Sequence, residues 1–443
     1  MKSLLPLFVF IDACGWEIIK NDPFVRQLAP NRKRLTSVLG YSSACVPSIL
    51  SGRWPADHRN WSYFVYDPKH SPFRPLRALQ WLPSRITSRR IFRRWLSKFI
   101  KARLNFRGYF DLYNIPFKHI SLFDFTEKKS PLQPRGMNCG PNIFDHLEAR
   151  RIRYHVSSPQ QNEEANLSAM LADIRSESID FAFLYWPELD GLLHRVGNDS
   201  PEVPLKLRNY ELMLEQLWLT ATRHYSEVPL YVFSDHGMAN CDECLDLKSR
   251  IQSLPVRMPE DYAAVYDSTM ARFWFFNKRA ERIITECLQS VPQGRVLSEA
   301  ELKRLKVFFP DRHFGELFFL VKEGVLIVPS DMGERSIRAM HGYHPNEKHS
   351  YAALCTNQEQ IDEDICAIPD MFRLMVRDAE LAKARNASGA SVPPVSAGVS
   401  TASIIEMANQ AQHLQGRDAR RDSRDACPTS ESRNEPLVPS HHE

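Results

Sequence analysis

Leu4-Leu5-Pro6-Leu7-Phe8-Val9-Phe10-Ile11-Asp12 is an apolar run of strand length that stops at a carboxylate. Three further short runs, residues 152–156, Phe181–Trp186 and Leu230–Phe233, are rich in β-branched or aromatic residues. Uninterrupted apolar runs of this kind suit strands covered on both faces of a parallel sheet. Helical patterns separate them, among them residues 142–150 and Glu202–His224. The alternation predicts a doubly wound, mostly parallel α/β core, and ligands of such sheets collect where the strands reach their carboxyl ends.

The residues just past each run are chemically unusual. The first run ends in Asp12, and Phe181–Trp186 is followed by Asp190-Gly191-Leu192-Leu193-His194. Leu230–Phe233 leads into Ser234-Asp235-His236-Gly237-Met238, and Met340-His341-Gly342-Tyr343-His344 comes late in the chain. Before His344 is counted, this makes three carboxylates and three imidazoles on one edge of the expected sheet. Mixed Asp/His sets match the donor preferences of a pair of Zn²⁺ or Mn²⁺ ions, and an i, i+4 Asp/His pair aims both side chains one way. Taken singly, Asp12 reads equally well as a helix cap, and Asp190/His194 as a surface pair. Asp235-His236-Gly237 is more telling, because adjacent polar residues directly after a buried strand have little structural purpose. The ordered set is more specific than any of its members.

In that order the motifs resemble the alkaline phosphatase superfamily, within it the type I phosphodiesterase/nucleotide pyrophosphatase branch, from residue 5 to about 356. The resemblance implies an alkaline-phosphatase-like fold. It also implies a Ser or Thr nucleophile in Gly40-Tyr41-Ser42-Ser43-Ala44-Cys45-Val46-Pro47-Ser48-Ile49-Leu50-Ser51-Gly52-Arg53. Counting ten residues back from the glycine that closes the helix gives Ser42, with Ser43 one residue out of register. Pro55-Ala56-Asp57-His58 and Tyr66-Asp67-Pro68 look like further elements of the branch and support that register. By the same resemblance Asp12, Ser42, Asp235 and His236 surround one divalent ion, and Asp190, His194 and His341 hold the other. Zn²⁺ is the expected metal, with Mn²⁺ as the alternative.

The implied activity is two-metal hydrolysis of a phosphate ester, most plainly a diester or pyrophosphate, through a phosphoseryl-type intermediate. A serine hydroxyl is a poor nucleophile until a metal or base lowers its pKa, and a helix N-terminus offers N–H groups to phosphoryl oxygens. A phosphomonoesterase or phosphotransferase of the same superfamily is the nearest alternative, and an inactive protein that binds anionic membranes is a more distant one. The chain departs from the branch in two places. Tyr63 stands where a phosphate-contacting Asn is usual, with Asn60 out of register, and His344 stands where an acidic residue is common. Cys45-Val46-Pro47-Ser48 imitates a sulfatase motif, but Ile49 occupies the position that needs Arg, so Cys45 is expected to be a core residue.

Composition bounds the rest. All 47 aromatic residues lie at or before Phe372 in a chain of 443, which predicts a catalytic domain over 1–382 and a disordered tail over 383–443. Residues 59–135 read as an inserted basic segment, and residues 270–330 as a small mixed α+β subdomain. A net charge of +4 is too small for a generally nucleic-acid-like protein, and no nucleic acid partner is expected. Nine scattered cysteines point to a reducing cytoplasm rather than a disulfide framework. The lone Cys241/Cys244 pair is no zinc site by itself. Arg312, Arg335 and Arg338 flank the late His motif and are expected at the surface. Eleven Lys/Arg and no Asp or Glu lie between Arg74 and Arg107, where Ile91, Trp95, Phe99 and Ile100 recur at helical spacing. The expected arrangement is a lid that packs this stripe on the catalytic body and gathers a small phosphorylated substrate. The alternative is contact with an anionic membrane surface through residues 85–107, peripheral to the membrane.

Overall fold

A computed structural model describes residues 1–87 and 89–388. Its central sheet runs in the order Asn31–Leu35, Ala352–Thr356, Leu230–Phe233, Leu7–Ile11, Phe181–Trp186, Tyr154–Val156. The last four strands pair in parallel, and Ala352–Thr356 is antiparallel to both of its neighbours. All five residues of Leu7–Ile11 are buried, because helices cover both faces. Alternate residues form one aromatic layer. Phe8 stacks on Tyr231 at 4.7 Å between ring centres, and Phe10 on Tyr185 at 4.9 Å and Phe233 at 5.5 Å. This is the α/β architecture expected.

The elements differ from expectation where single residues override the pattern. The run over 4–11 is broken at Leu5-Pro6, since proline has no N–H to give to a ladder. Lys2–Leu4 pairs instead with Tyr225–Glu227, and Leu7–Ile11 forms the central strand. Only Tyr154–Val156 of 152–156 is strand. Asn31–Leu35 carries four polar residues and no apolar signal; it is an edge strand, where charge discourages pairing with another chain. Glu202–His224 is helical as expected, and the helix of 142–150 is Ile143–Ala149, with Asn142 and Asp145 closing a capping box.

The insertion over 59–135 carries the antiparallel pair Phe64–Tyr66 and Phe123–Phe125 and the basic helix Arg90–Arg103. Its core of Phe64, Phe73, Leu96, Ile100, Phe110 and Phe125 continues into Ala263, Val265 and Trp274 of a second sheet. That sheet is antiparallel, in the order Tyr262–Tyr266, Met270–Phe275, Leu317–Val321, Gly294–Val296. The subdomain therefore begins before residue 270. Two alanines in Tyr262–Tyr266 dilute its strand signal.

The expected tail over 383–443 is corrected at its start. The helix Met371–Ser388 runs through it, burying Ala379 and Ala382. Asn386 accepts from the N–H groups of Ser3 and Leu4 at 3.0 Å each and donates to the Leu4 carbonyl at 2.9 Å. Residues 389–443 lie outside the described residues.

Candidate active site

The loops after Leu7–Ile11, Phe181–Trp186 and Leu230–Phe233 meet at the carboxyl edge of the sheet, and the segment after Ala339–Met340 joins them there. Two glycines let these loops approach. A Cβ on Gly237 would sit 2.3 Å from the His349 carbonyl oxygen, so only glycine passes there. Gly342 has φ +88°, and a Cβ on it would lie 2.6 Å from the Tyr41 ring, so His341-Gly342-Tyr343 needs its glycine on both counts.

Six of the expected residues fall into two triads whose donor atoms lie within 4.8 Å of one another: Asp12, Asp235 and His236, and Asp190, His194 and His341. In the first triad His236 Nε2 is 3.2 Å from Asp235 Oδ2 and 3.6 Å from Asp12 Oδ1. In the second, Asp190 Oδ1 is 3.3 Å from His194 Nε2 and 3.4 Å from His341 Nε2. The His236 and His341 rings stack at 3.9 Å and join the two sets.

Each carboxylate of the first triad has one oxygen held by the protein and one bare. Tyr185 donates to Asp12 Oδ2 at 2.6 Å, while Asp235 Oδ1 accepts from the Ala13 and His236 N–H groups. Asp12 Oδ1, Asp235 Oδ2, Asp190 Oδ1 and His341 Nδ1 are buried and form no hydrogen bond with any described residue. The other imidazoles are oriented from behind. His194 Nδ1 donates to the Ala339 carbonyl at 2.9 Å and His236 Nδ1 to that of Gly237 at 3.0 Å, which leaves each Nε2 as a lone-pair donor.

Buried acceptors without protons to share are costly unless a cation neutralises them, so this donor set fits divalent metal ions. The electrostatics agree. Burial, then Asp235 and Asp190, drive the Asp12 carboxyl well above the usual range, and burial chiefly pushes Asp235 up to about 7. Burial also works to raise Asp190, but His194 and His341 beside it hold it below the usual range. Burial, reinforced by His236, takes His341 far below an ordinary imidazole.

Ser42 is the first residue of the helix Ser42–Ser51. Its Oγ lies 3.2 Å from His236 Nε2, while the Ser43 hydroxyl turns away to the Trp61 carbonyl at 3.0 Å. Tyr41, the N-cap, spends its hydroxyl on Thr269 at 2.8 Å and makes no side-chain cap, so the helix N-terminus is open toward the site. His58 anchors the helix from behind. The Asn60 N–H donates to His58 Nδ1 at 3.1 Å, so Nε2–H donates to Ser48 Oγ at 2.9 Å. Cys45 is fully buried in the core beside Ser37.

A cavity of about 740 Å³ opens over Ser42, Asp12 and the second triad. Its far wall belongs to the insertion: Tyr63, Lys101, Arg107, Tyr109, Tyr113 and Glu127. Burial pushes the Glu127 carboxyl up to about 8. Of these Tyr63 stands out in the sequence, and Lys101 and Arg107 only as part of the basic stretch; Asn60 points elsewhere and accepts from the Asn138 N–H at 3.0 Å. Tyr185 was invisible too, and only the pairing of Phe10 with Tyr185 across the sheet brings it to Asp12.

His344 is not among the donors, since its Nε2 faces Glu301 at 3.6 Å. Arg335 and Arg338 are exposed, and Arg312 pairs with Glu316 at 2.6 Å. Cys244 is exposed, and Cys241 lies 3.9 Å from the Tyr343 hydroxyl.

The expected lid geometry is corrected. Leu96 and Ile100 face inward, but Ile91, Trp95 and Phe99 are 84%, 63% and 56% exposed. The helix is set in this rotation by buried Arg93, which donates to the carbonyls of Thr87 and Ile115 and lies 4.7 Å over the Phe117 ring.

The α/β sheet thus sets two Asp/His triads at its carboxyl edge beside a serine at an open helix N-terminus, a candidate metal-ion site with a nucleophile next to it. The model of the type I phosphodiesterase/nucleotide pyrophosphatase family matches residues 7–344, and the chain belongs to that family. Human ectonucleotide pyrophosphatase/phosphodiesterase family member 5 is 24% identical over 165 residues, a match spanning 34% of each chain, about a third of that relative's length. The solved murine and human structures of that protein superpose with TM-scores of 0.59 and 0.57 at 14% identity, covering 86% of this chain and 95% of theirs. An inactive variant of the murine protein, solved in complex with AMP, gives 0.57.

Proposed function

We propose that the protein is a metal-dependent phosphodiesterase/nucleotide pyrophosphatase that uses Ser42 as its nucleophile and takes a small phosphorylated substrate, with a nucleotide as the first candidate. The observation that carries this reading is Ser42 Oγ beside His236 Nε2, with one triad around it and the other stacked on it through His341. Asp12, Asp235, His236 and Ser42 would hold one divalent ion and Asp190, His194 and His341 the other. The donor chemistry suits Zn²⁺, or Mn²⁺ in its place. Such ions supply charge neutralisation at the phosphoryl oxygens and lower the pKa of a serine hydroxyl beside them.

The chain's own residues do the rest. His236 Nε2 would be committed to the ion and so is no base, the Ser42 proton passes to solvent water, and the first-turn N–H groups face the phosphoryl oxygens. The Ser42 oxygen forms a bond to phosphorus as the bond to the leaving alkoxide or phosphate breaks, and water then cleaves the phosphoseryl ester. Lys101 and Arg107 on the cavity wall attract the anionic substrate. The AMP held by the inactive murine variant supports a nucleotide here, whereas Tyr63 alters the wall that the family lines with Asn. The odd, scattered cysteines support a reducing cytoplasm as the compartment.

A panel of nitrophenyl phosphodiesters, a dinucleotide pyrophosphate and nitrophenyl phosphate tests this. The expected result is turnover of the diesters or pyrophosphate, lost on chelation and restored by Zn²⁺ or Mn²⁺. Full activity in metal-free protein would refute the assignment, and preference for the monoester would move it to the phosphomonoesterase alternative.

A further inference from the structure

We propose that the outward face of the basic helix Arg90–Arg103 is a docking surface for an anionic lipid bilayer, a role separate from the reaction at Ser42. Ile91, Trp95 and Phe99 recur every fourth residue and so form one stripe on successive turns. They are 84%, 63% and 56% exposed, and the Trp95 and Phe99 rings stack at 6.0 Å. Trp81, at 84% exposed, and Ile86, at 44%, add apolar surface on the segment leading into the helix.

The helix cannot roll to hide this stripe. Its other side is held by Leu96 and Ile100 in the insertion core and by Arg93 on backbone carbonyls. Ser97 adds a hydrogen bond to Asp111 at 2.8 Å and accepts from the Leu112 N–H at 3.0 Å. The exposure therefore belongs to the folded state, and an aromatic stripe of this size on a surface marks an interaction site.

Charge identifies the occupant. Arg89, Arg90, Arg94, Lys98 and Arg103 are all exposed, and none pairs with a carboxylate among the described residues. By helical periodicity Arg94 and Lys98 run along one edge of the stripe and Arg103 along the other. Aromatic side chains flanked by free cations match the layer where acyl chains meet anionic headgroups. A protein groove would have to supply carboxylates along both edges of the stripe. A nucleic acid would leave aliphatic Ile91 without a partner.

Co-sedimentation of the full chain with vesicles tests the proposal, comparing phosphatidylcholine alone with phosphatidylcholine plus phosphatidylserine. Binding is expected only to the anionic vesicles, weakening as salt rises. The triple variant Ile91→Ser, Trp95→Ser, Phe99→Ser and the triple variant Arg94→Glu, Lys98→Glu, Arg103→Glu should each lower the partition at least about tenfold. The apolar variant should keep the wild-type Tm and turnover of a soluble nitrophenyl diester, because none of its three positions lines the cavity. The proposal fails if wild type ignores anionic vesicles, or if it binds neutral and anionic vesicles equally. It also fails if the apolar variant binds as wild type does, if the stripe instead drives a concentration-dependent dimer, or if a single-stranded oligonucleotide displaces the vesicles.

Discussion

Asp12, Asp235 and His236 are almost wholly buried, whereas Asp190 and His194 keep nearly a quarter of their side chains exposed. The charge balance differs as well. The first triad sets two carboxylates against one imidazole, and burial raises both acids, helped at Asp12 by the charges of Asp235 and Asp190 and at Asp235 by that of Asp190. The second sets one carboxylate between two imidazoles, which hold Asp190 ionised despite its burial. One site thus needs a cation to carry its charge, while the other is nearly balanced within itself and opens on the cavity. The first should bind its metal more tightly and the second should exchange it more readily.

The largest expected effect lies where the nucleophile meets the first triad. Ser42→Ala should lower kcat on a diester by on the order of 10³-fold or more, while Ser43→Ala costs less than about tenfold. The Ser43 hydroxyl serves only the Trp61 carbonyl, worth about 1 kcal/mol of stability. Reversed outcomes in steady-state kinetics would move the nucleophile to Ser43.

Metal analysis of variants addresses the two triads directly. Asp235→Ala should empty the first site outright, and His194→Ala should weaken the second by more than the roughly 10–100-fold typical of losing a group that only supports a ligand, while leaving the first loaded. Equal losses in both variants would show that the stacked His236 and His341 make the two sites a single unit.

Acid should act on both sites next, through different groups. In metal-free protein the Asp235 carboxyl, raised to about 7, holds its proton below that pH. Calorimetric titration should therefore show affinity at the first site falling as pH drops through about 7. The second site should weaken in acid for another reason: burial disfavours a charged His194, but Asp190 beside it raises that imidazole above its ordinary value, so His194 takes a proton while Asp190 stays ionised.

The smallest effect concerns a carboxyl with the burial of Asp12 but no partner triad. Burial lifts Glu127 from 4.5 to about 8. A raised carboxyl contributes stability that is complete below about pH 4.5 and is lost as pH rises through about 8. In metal-free protein Glu127→Gln should accordingly raise Tm at pH 9 and change it little at pH 5. A uniform shift at both pH values would mean that Glu127 is already ionised.

How much of this was legible depends on distance along the chain. Strands buried on both faces tolerate only apolar residues, so the polar residues that follow each one mark the sheet edge, and Asp12, Asp190 and Asp235 stand among them. His341 follows no such strand and reads only as one member of an Asp/His set, its assignment to one ion resting on the resemblance. Tyr185 and Glu127 act through space from positions that look like ordinary strand and loop. The basic helix has apolar residues on two sides, and a helical wheel does not say which side meets the core. Arg93 decides it, yet in the sequence it is one arginine among many. Leu4–Ile11 reads as one strand because apolar continuity outweighs the missing N–H of Pro6.

Asn386 has a topological consequence. By bonding to Ser3 and Leu4, it brings the end of the last described helix to the start of the chain, at the amino end of the strand whose carboxyl end carries Asp12. The folded body is in effect a closed loop. Joining residue 388 to residue 1 through a few glycines would leave the catalytic edge untouched. New ends could then be opened elsewhere, giving a circular permutant in which each half of the sheet can be labelled or split without disturbing the triads.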